Sequence, residues 1–355
     1  MRAETARAVD SIWYGESAWR WPLWPLSLLF RLVVTLRAAA YASGVKRSVR
    51  LPVPVVVVGN VTAGGTGKTP LVIWLAETLR ARGWSPGIVT RGYRGRARSW
   101  PRHVAADDDP ALVGDEAVLL AARTGVPVSA GPDRVAAGAL LADGGVDVVI
   151  SDDGLQHRRM ARAFEIAVVD GRRGLGNGLC LPAGPLREPA SRLGTVDAVV
   201  VNDGGTASSA SGSGTSACAG VPSSALRMTL RVSRVYRVRD GATARLADFA
   251  GRTVHAVAGI GDPERFFRML ERAGLDVCRH PLPDHAEITA ADLRPAPHGA
   301  VLVTEKDAVK CREIAHDDLW CVAVEAVLEA EAGGRLARTI DERLRASGGR
   351  PAVRA

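Results

Sequence analysis

The stretch that most constrains the fold is residues 55–70, which read VVVVGNVTAGGTGKTP. Four consecutive valines make a β-branched apolar run, which is typical of a strand buried on both faces of a parallel sheet. A glycine-rich loop follows this run, and residues 71–82 then have the apolar spacing of a helix. A strand, a glycine-rich loop and a helix in this order are the context of a phosphate-binding loop.

The loop supplies the groups that a phosphate site needs. Its glycines let the backbone approach phosphates closely, and the helix N-terminus adds partial positive charge. We expect Lys68 to reach the β and γ phosphates and the Thr69 hydroxyl to bind Mg²⁺. The common pattern begins with Gly, whereas this chain has Thr62 there, so an ordinary glycine-rich turn is the competing interpretation. The expected nucleotide-binding residues are Thr62, Ala63, Gly64, Gly65, Thr66, Gly67, Lys68 and Thr69.

Strand-like and helix-like runs alternate beyond residue 54. The strand-like runs are 55–58, 87–90, 126–129, 146–151, 165–170 and 196–202, and helix-like runs between them include 71–82, 116–124 and 134–143. This alternation predicts an α/β fold, a P-loop NTPase-type parallel sheet with helices on both faces. Functional residues are then expected at the carboxyl ends of the strands.

Composition and pattern divide the chain into five predicted segments. A tryptophan-rich segment is followed by a P-loop domain, a β-hairpin linker with alternating apolar residues at 226–239, a smaller C-terminal α/β domain and a tail. The P-loop domain ends in a loop at 203–224 that is rich in glycine, serine, threonine and alanine. The predicted bounds are 1–50, 51–224, 225–250, 251–345 and 346–355.

The net charge indicates which kinds of molecule the protein binds, and the cysteines indicate its redox compartment. The formal net charge of +8 favours anionic partners such as nucleotides, phosphorylated substrates or an anionic membrane face. The basic residues are scattered and no aromatic–basic surface motif accompanies them, so we expect no nucleic-acid partner. The five cysteines form no C-x-x-C pair, which predicts neither a disulfide framework nor a zinc site and fits a reducing cytosol.

The N-terminal segment is rich in tryptophan and contains an apolar stretch. Four of the eight tryptophans lie at Trp13, Trp19, Trp21 and Trp24, just before an apolar stretch at 26–41 that Arg31 and Arg37 interrupt. A spanning helix needs about 20 largely uncharged apolar residues. The pattern therefore favours an amphipathic helix lying in a membrane interface, and the alternative is a helix packed on the protein's own core.

A second candidate site follows residues 146–150, where an apolar strand runs into the sequence SDDGLQH. Carboxylates at the end of a buried strand are where a P-loop enzyme holds Mg²⁺. Asp152 and Asp153 are adjacent, so one of them is expected to serve the metal and the other the substrate or the loop backbone. The competing interpretation is a simple Asp-Asp-Gly turn.

Four further residues carry candidate chemistry. Asp115, which opens the helix-like run with Glu116, is either an N-cap or a catalytic carboxylate, and Glu116 is a metal ligand or only a partner of the helix dipole. Arg187, in a Pro- and Gly-rich loop, is either a phosphate ligand or an exposed charge. His285 lies in the loop sequence HPLPDHA.

The motifs VGN, GGTGKTP, TRGY, VGDE, DDGLQH, GPLREP, PDH and TEKD occur in one order. This ordered set resembles the tetraacyldisaccharide 4′-kinase family of lipid A biosynthesis, over roughly residues 13–324. The resemblance implies transfer of the ATP γ-phosphate to the 4′-hydroxyl of a tetraacylated glucosamine disaccharide 1-phosphate, giving a product of the lipid IVA type. It also implies a P-loop domain, a two-stranded linker, a smaller α/β domain and an N-terminal helix on the membrane.

Residue roles follow from the same resemblance. It implies that Asp115 is a general base for the sugar hydroxyl and that His285 pairs with it. The implied catalytic residues are Asp115, His285, Lys68, Asp153 and Arg187, and the metal ligands are Thr69, Asp152 and Glu116. The cofactors are then ATP and Mg²⁺, the partners an acylated disaccharide and a membrane surface, and the location the cytoplasmic face of a bacterial inner membrane, as a peripheral protein.

One alternative from another class stays open at this point. A P-loop GTPase, or an ATPase of the metallochaperone type, is also compatible with the loop. It would act as a switch on a partner protein and would hydrolyse nucleotide without a lipid acceptor.

Overall fold

The computed structural model describes residues 2–203, 219–293, 299–314 and 316–349, with side chains from residue 8 onward. Most of the predicted glycine- and serine-rich loop, 204–218, lies outside the described residues. Residues 350–355 of the predicted tail lie outside them as well.

Helices and strands alternate along the described chain. The helices are α1 (Arg2–Tyr14), α2 (Arg20–Ala42), α3 (Lys68–Ala81), α4 (Pro110–Val113), α5 (Asp115–Thr124), α6 (Arg134–Asp143), α7 (Pro263–Arg272), α8 (Glu305–Ala308) and α9 (Ala330–Ala346). The strands are β1 (Val55–Gly59), β2 (Pro86–Thr90), β3 (Arg102–Val104), β4 (Val128–Ala130), β5 (Val148–Asp152), β6 (Phe164–Asp170), β7 (Ala198–Asn202), β8 (Leu226–Arg237), β9 (Thr243–Ala244), β10 (Thr253–Ala258), β11 (Asp276–Pro281), β12 (Val301–Thr304) and β13 (Leu319–Leu328).

These strands form one 13-stranded sheet within the described ranges, in the order β11-β10-β12-β13-β8-β7-β6-β1-β5-β2-β4-β3, with β9 paired to β8. Strands β1, β2 and β4 to β8 pair in parallel, and so do β10 to β13. The predicted α/β class with a mostly parallel sheet is confirmed. We call strands β1 to β7 with their helices the P-loop unit, and strands β10 to β12 with α7 and α8 the second unit.

The buried valines of β1 explain why helices cover both faces of the P-loop unit. Side chains alternate between the two faces of a strand. Val56 and Val58 pack into a core with α3, α5 and α9, whereas Val55 and Val57 pack into a core with α6 on the other face.

The predicted hairpin at 225–250 needs correction. Most of this segment is the single strand β8, whose main partner is β13, paired antiparallel from Met228–Leu328 to Arg237–Trp320. The hairpin with β9 involves only residues 235–236 and 243–244. The alternating pattern is real, but a 12-residue strand needs a partner of similar length, and β13 provides it. A register shift between Ala323 and Val324 marks a bulge, which bends a strand pair.

The last helix also departs from the predicted domain division, which placed residues 251–345 in the smaller domain. The apolar face of α9 buries Leu336, Ile340 and Leu344 in the core of the P-loop unit. The Trp84 Nε1–H donates to Asp341 Oδ1 at 2.7 Å. An amphipathic helix packs on whichever apolar surface is uncovered, and here that surface lies on the P-loop unit. The remaining segment bounds stay a prediction.

Helix α2 is unusually exposed for its composition. It is the one helix in the described chain that is long and apolar enough to cross a membrane by length and composition. Ser27 is its buried residue, and the Ser27 hydroxyl donates to the Cys180 carbonyl at 2.7 Å. The exposed large apolar residues fall on roughly half of the helix circumference; they are Trp21, Trp24, Leu26, Leu28, Leu29, Leu32, Val33 and Leu36. A helix packed on the protein's own core would bury this side.

The packing of α9 gives the first testable prediction. Ile340→Ala should lower the free energy of unfolding by about 2–5 kcal/mol, because Ile340 is fully buried and its truncation leaves a cavity. Glu342→Ala, at an exposed position of the same helix, is the matched control and should change stability by less than about 0.5 kcal/mol. Chemical unfolding followed by circular dichroism measures both. Equal stability of the two variants would contradict the placement of α9.

Candidate functional site

The glycine-rich loop connects β1 to α3 and lies at the carboxyl end of the sheet. Gly67 has a φ of 84°, a left-handed conformation that favours glycine. A Cβ at this position would lie 2.2 Å from Asn202 Nδ2, so a side chain does not fit. Asn202, at the end of β7, donates to the Thr66 carbonyl at 3.0 Å. The end of a neighbouring strand therefore holds the loop in shape.

Lys68 begins α3 and is held by two groups. Its Nζ donates to Asn60 Oδ1 at 3.2 Å and lies 3.4 Å from Asp153 Oδ1. Arg187 Nη1 lies 3.0 Å from the other oxygen of the same carboxylate, and Arg134 Nη1 donates to the Asp153 carbonyl at 2.6 Å. Three cations thus surround Asp153, which has a left-handed φ of 49°.

These cations decide the charge state of Asp153. Burial alone would raise the pKa of its carboxyl, but the charges of Lys68, Arg187 and Arg134 hold the pKa far below its usual range. The carboxylate is therefore ionised, and it fixes the positions of Lys68 and Arg187 relative to each other.

Asp152, the last residue of β5, has a different environment. Burial raises its pKa to about 7, and the nearby charge of Glu116 adds to the effect. Within the described part of the chain, its Oδ1 is buried without a hydrogen-bond partner. A buried, unpaired carboxylate oxygen fits a bound divalent cation, which would satisfy that oxygen and lower the pKa. Thr69 and Glu116, the two other predicted ligands, line the same pocket as Asp152.

This pocket lies between the phosphate loop and the second unit and has a volume of about 200 Å³. The two sides approach closely, because a Cβ built on Gly65 would lie 3.5 Å from Gly261 Cα. The lining is mixed: loop residues 65–70 and charged groups occupy one part, and apolar side chains occupy the rest. The apolar residues are Ile73, Leu119, Leu230, Ile260, Phe266, Met269, Val322 and Val324. Such a pocket suits a ligand with a phosphate tail and an apolar or aromatic body.

Reciprocal ion pairs hold the two units together at this pocket. Arg172 of the P-loop unit lies 3.1 Å from both oxygens of Asp262, which is buried and precedes α7. In the second pair the charges are exchanged between the units: Arg265 of α7 pairs with Asp170 at the end of β6 in the P-loop unit. The second unit is therefore fixed over the phosphate loop by charge-assisted contacts.

Asp115 and His285 contact each other across the two units. His285 Nδ1 lies 3.1 and 3.0 Å from the two carboxylate oxygens of Asp115. The predicted N-cap role of Asp115 is wrong: Gly114 is the N-cap of α5, and the backbone N–H that Asp115 accepts is that of its neighbour Glu116, at 2.8 Å. Its carboxylate is instead directed at the imidazole.

Lys306 closes this cluster on the far side of the imidazole. Its Nζ lies 3.1 Å from His285 Nε2 and 3.1 Å from Glu116 Oε1. Burial alone would lower the pKa of Lys306, but the carboxylates of Glu116, Asp115 and Asp284 raise it above its usual range, so the amine is charged. An ammonium can only donate, so Nε2 accepts and Nδ1 carries the proton that is donated to Asp115.

The same contacts set the pKa of Asp115. Burial alone would raise it, but the hydrogen bond from His285 and the charge of Lys306 lower it below the usual value. The carboxylate of Asp115 is therefore ionised at neutral pH.

The loop that carries His285 is held by Tyr93 of the TRGY motif and by Arg94, the next residue. Arg94 Nη1 donates to the His285 carbonyl at 2.7 Å. The Tyr93 ring packs against the imidazole of His285, with 5.0 Å between the two ring centroids. The structure thus uses Arg94 to position His285, which has a left-handed φ of 56°.

The structure brings the predicted site residues into two adjacent groups. The first group surrounds the phosphate loop and contains Lys68, Thr69, Asp152, Asp153 and Arg187. The second group is the carboxylate–imidazole cluster of Asp115, His285 and Glu116, and Lys306 and Glu116 reach from it into the pocket lining.

Sequence reasoning missed several positioning residues. Lys306 lies in the TEKD motif, which was noted only for its order along the chain. Asn60 directly follows the apolar strand β1, and Asn202 is the polar last residue of the apolar strand β7. A polar residue at the end of an apolar strand is the signal that could have identified both. For Arg134, Arg172 and Asp262 the sequence gives no such signal, because their partners are distant in the chain.

Comparison with known proteins places this geometry in context. The family model described as LpxK, tetraacyldisaccharide-1-P 4′-kinase, matches residues 19–345. A tetraacyldisaccharide 4′-kinase of Nitrosococcus oceani is 49% identical over 326 residues, which covers 91% of each chain. Another, of Alkalilimnicola ehrlichii, is 52% identical over 320 residues, covering 88% of this chain and 90% of its own.

A solved structure agrees with the sequence relatives. The crystal structure of LpxK from Aquifex aeolicus, described as an "apo" form in complex with ATP, superposes with a TM-score of 0.74 at 28% identity. It covers 92% of this chain and 99% of that chain. With a family model that matches nearly all of the described fold and relatives of about half-identical sequence, the chain belongs to the tetraacyldisaccharide-1-P 4′-kinase family.

Proposed function

We propose that this protein is an ATP-dependent lipid kinase that transfers the γ-phosphate of ATP to the 4′-hydroxyl of a tetraacylated glucosamine disaccharide 1-phosphate. The observation that carries the proposal is the contact of Asp115 with His285 at 3.0 Å, beside a phosphate-binding loop. A kinase that phosphorylates an alcohol needs both a phosphate cradle and a proton acceptor. Family membership supplies the substrate class.

The phosphate loop is the proposed ATP site. Backbone N–H groups of residues 64–69 and the N-terminus of α3 are suited to the phosphates, and Lys68 places its charge beside them. The N–H of Ala63 instead donates to the Pro185 carbonyl at 2.7 Å, which anchors the start of the loop. Because Asp153 fixes both Lys68 and Arg187, these two cations are held in place before the nucleotide binds. Prepositioned charges need no reorganisation as negative charge develops on the transferred group.

Thr69, Asp152 and Glu116 are the proposed Mg²⁺ ligands. Bound Mg²⁺ supplies charge neutralisation of the β and γ phosphate oxygens. The unpaired Oδ1 of Asp152 supports this assignment. Glu116 also accepts from Lys306 at 3.1 Å, so its carboxylate links the metal side of the pocket to the imidazole cluster.

Asp115 is the proposed general base. A sugar hydroxyl is a poor nucleophile until its proton leaves, and an ionised carboxylate within hydrogen-bond distance accepts that proton. His285 orients the carboxylate through its Nδ1–H, and Lys306 fixes the tautomer of the imidazole from the Nε2 side. These three residues therefore form one positioned unit.

Helix α2 is the proposed membrane contact. Its exposed apolar half points away from the side that packs on the protein, and its tryptophans suit the headgroup region. The net charge of +8 favours an anionic membrane face. An enzyme that acts on an acylated substrate gains from lying at the surface that holds it. We therefore infer peripheral binding at the cytoplasmic face of a bacterial inner membrane.

The alternative of a GTPase or metallochaperone-type switch is not favoured. The family model and the relatives cover nearly all of the described fold and carry the name of a kinase. The polar cluster of Asp115, His285 and Lys306 also has a clear use in proton transfer from an acceptor alcohol.

The function is tested by incubating the detergent-solubilised protein with acylated disaccharide 1-phosphate and γ-labelled ATP. Label should move to the lipid. Lys68→Ala should reduce the rate by roughly 10²–10³-fold, because the positive charge that stabilises the negative charge developing on the transferred phosphoryl group is lost. Thr69→Ala should raise the Mg²⁺ concentration needed for half-maximal rate. Label release as inorganic phosphate alone, with no labelled lipid, would favour the switch interpretation.

The proposed base gives a second test. Asp115→Ala and His285→Ala should each lower kcat strongly and leave ATP affinity nearly unchanged, and the double variant should be little worse than the poorer single variant. In His285→Ala the pKa of Asp115 should rise, because the hydrogen bond that favours its ionised form is lost. The acid limb of the pH–rate profile should therefore move to higher pH. Multiplying losses in the double variant would show that the two residues act independently.

The membrane contact gives a third test, measured by flotation with anionic phospholipid vesicles. Leu29→Glu combined with Leu36→Glu should lower the bound fraction by at least ~10-fold, since each buried leucine contributes about 1.5–3 kcal/mol. The control combines Ala330→Glu with Thr339→Glu, which adds the same charge at exposed positions of α9. If both double variants bind vesicles alike, α2 is not the contact.

A further inference from the structure

A cluster of soft donor atoms lies outside the kinase site, on the two outer strands of the second unit. His255 of β10 is in register with Cys278 of the edge strand β11, and His280 follows Cys278 by two positions. Alternate residues of a strand point to the same face. The imidazoles of His255 and His280 and the thiol of Cys278 therefore project from one face of the sheet.

The donor atoms of these residues are close enough to share one ion. One ligand atom from each of the three lies within 4.8 Å of the others. His255 Nδ1 and His280 Nε2 are 3.1 Å apart, close to the ~3.3 Å that tetrahedral Zn–N bonds of ~2.0–2.1 Å require. A Cβ at Gly299 would lie 3.0 Å from His255 Cδ2, so the glycine leaves room for this ring.

Burial of the cluster is also appropriate for a metal site. His255 is buried, with 9% of its surface exposed, while Cys278 and His280 are half-buried. The cluster is thus shielded on the core side and reachable from solvent.

We propose that His255, Cys278 and His280 bind one Zn²⁺ ion. Two imidazoles at this distance can also share a single proton, but that arrangement leaves the adjacent sulfur without a role, whereas a cation uses all three donors. Two nitrogens and a thiolate are ligands that Zn²⁺ prefers, and a water completes the tetrahedron. The sequence predicted no zinc site because only the linear spacing of cysteines was considered.

The ion would fasten the edge strand of the sheet. Among the described strands, β11 has a neighbour on one side only, and it leads at Pro281 into the loop that carries His285. A metal bond between β10 and β11 would therefore stabilise the strand immediately before the proposed base-positioning loop. The role is structural, since none of the three residues belongs to the phosphate or imidazole clusters of the kinase site.

The test uses the full chain without an affinity tag, treated with chelator and then titrated with Zn²⁺. Wild type should bind one Zn²⁺ per chain, measured by elemental analysis after dialysis, and Zn²⁺ should raise its melting temperature. Cys278→Ser and His280→Gln should each weaken binding by more than ~10-fold and remove the thermal shift. His103→Gln, at an exposed histidine of β3, is the control and should behave as wild type.

Co²⁺ gives a readout that does not depend on the variants folding. In wild type, bound Co²⁺ should show a thiolate-to-cobalt charge-transfer band and the visible bands of a tetrahedral site. Absence of that band, absence of stoichiometric Zn²⁺ in the wild type, or unchanged Zn²⁺ affinity in folded Cys278→Ser would each overturn the proposal. The assay needs neither ATP nor lipid, so its result is independent of the kinase assignment.

Discussion

The antiparallel pairing of β8 with β13 is the contact on which the two halves of the sheet depend. On one side of this pair, strands β1, β2 and β4 to β8 run parallel to one another, and on the other side β10 to β13 do so. The short strands β3 and β9 are the other antiparallel neighbours in the described sheet. The register of this pair makes the carboxyl ends of the two groups face each other. Strand β7 runs beside the start of β8 and ends at Asn202, opposite Met228. Strand β12 runs in the other direction beside the far part of the ladder and ends at Thr304, next to Val322 of β13. The pocket therefore lies over the middle of the β8–β13 ladder, where Leu230 and Val324 line it.

Fixed charges make up much of the contact between the two units around the pocket. Among the described residues, the charged pairs that cross between the units include Arg172–Asp262, Arg265–Asp170, Arg123–Glu305, Asp115–His285 and Lys306–Glu116. Charged interfaces are more easily opened by solvent than apolar ones, since separated charges are rehydrated. The arrangement is thus suited to a site that must admit and release a large acylated substrate.

Local sequence patterns predict much of the fold and of the phosphate loop. Contacts between residues far apart in the sequence are the part that these patterns do not predict. The valine run, the loop glycines and the carboxylates after β5 are neighbours in sequence, so their roles follow from strand and turn rules alone. The Asp115–His285 contact joins residues from different units, and only the family resemblance pointed to it. The partner of β8, the packing surface of α9 and the position of Lys306 depend on tertiary contacts that no single segment encodes. The three donors on β10 and β11 were missed for the same reason, because strand pairing rather than sequence spacing brings them together.

The path of the chain through β8, β13 and α9 also has a consequence for biosynthesis. The chain leaves the P-loop unit along β8, builds the second unit, and returns along β13 to add α9 to the first core. Leu336, Ile340 and Leu344 are among the last described residues that the ribosome makes, yet they complete the core around α3. A nascent chain therefore exposes an unfinished apolar surface beside α3 until α9 has been synthesised. A ribosome that stops early would release a protein with an intact nucleotide motif and an open core, a ready substrate for proteases.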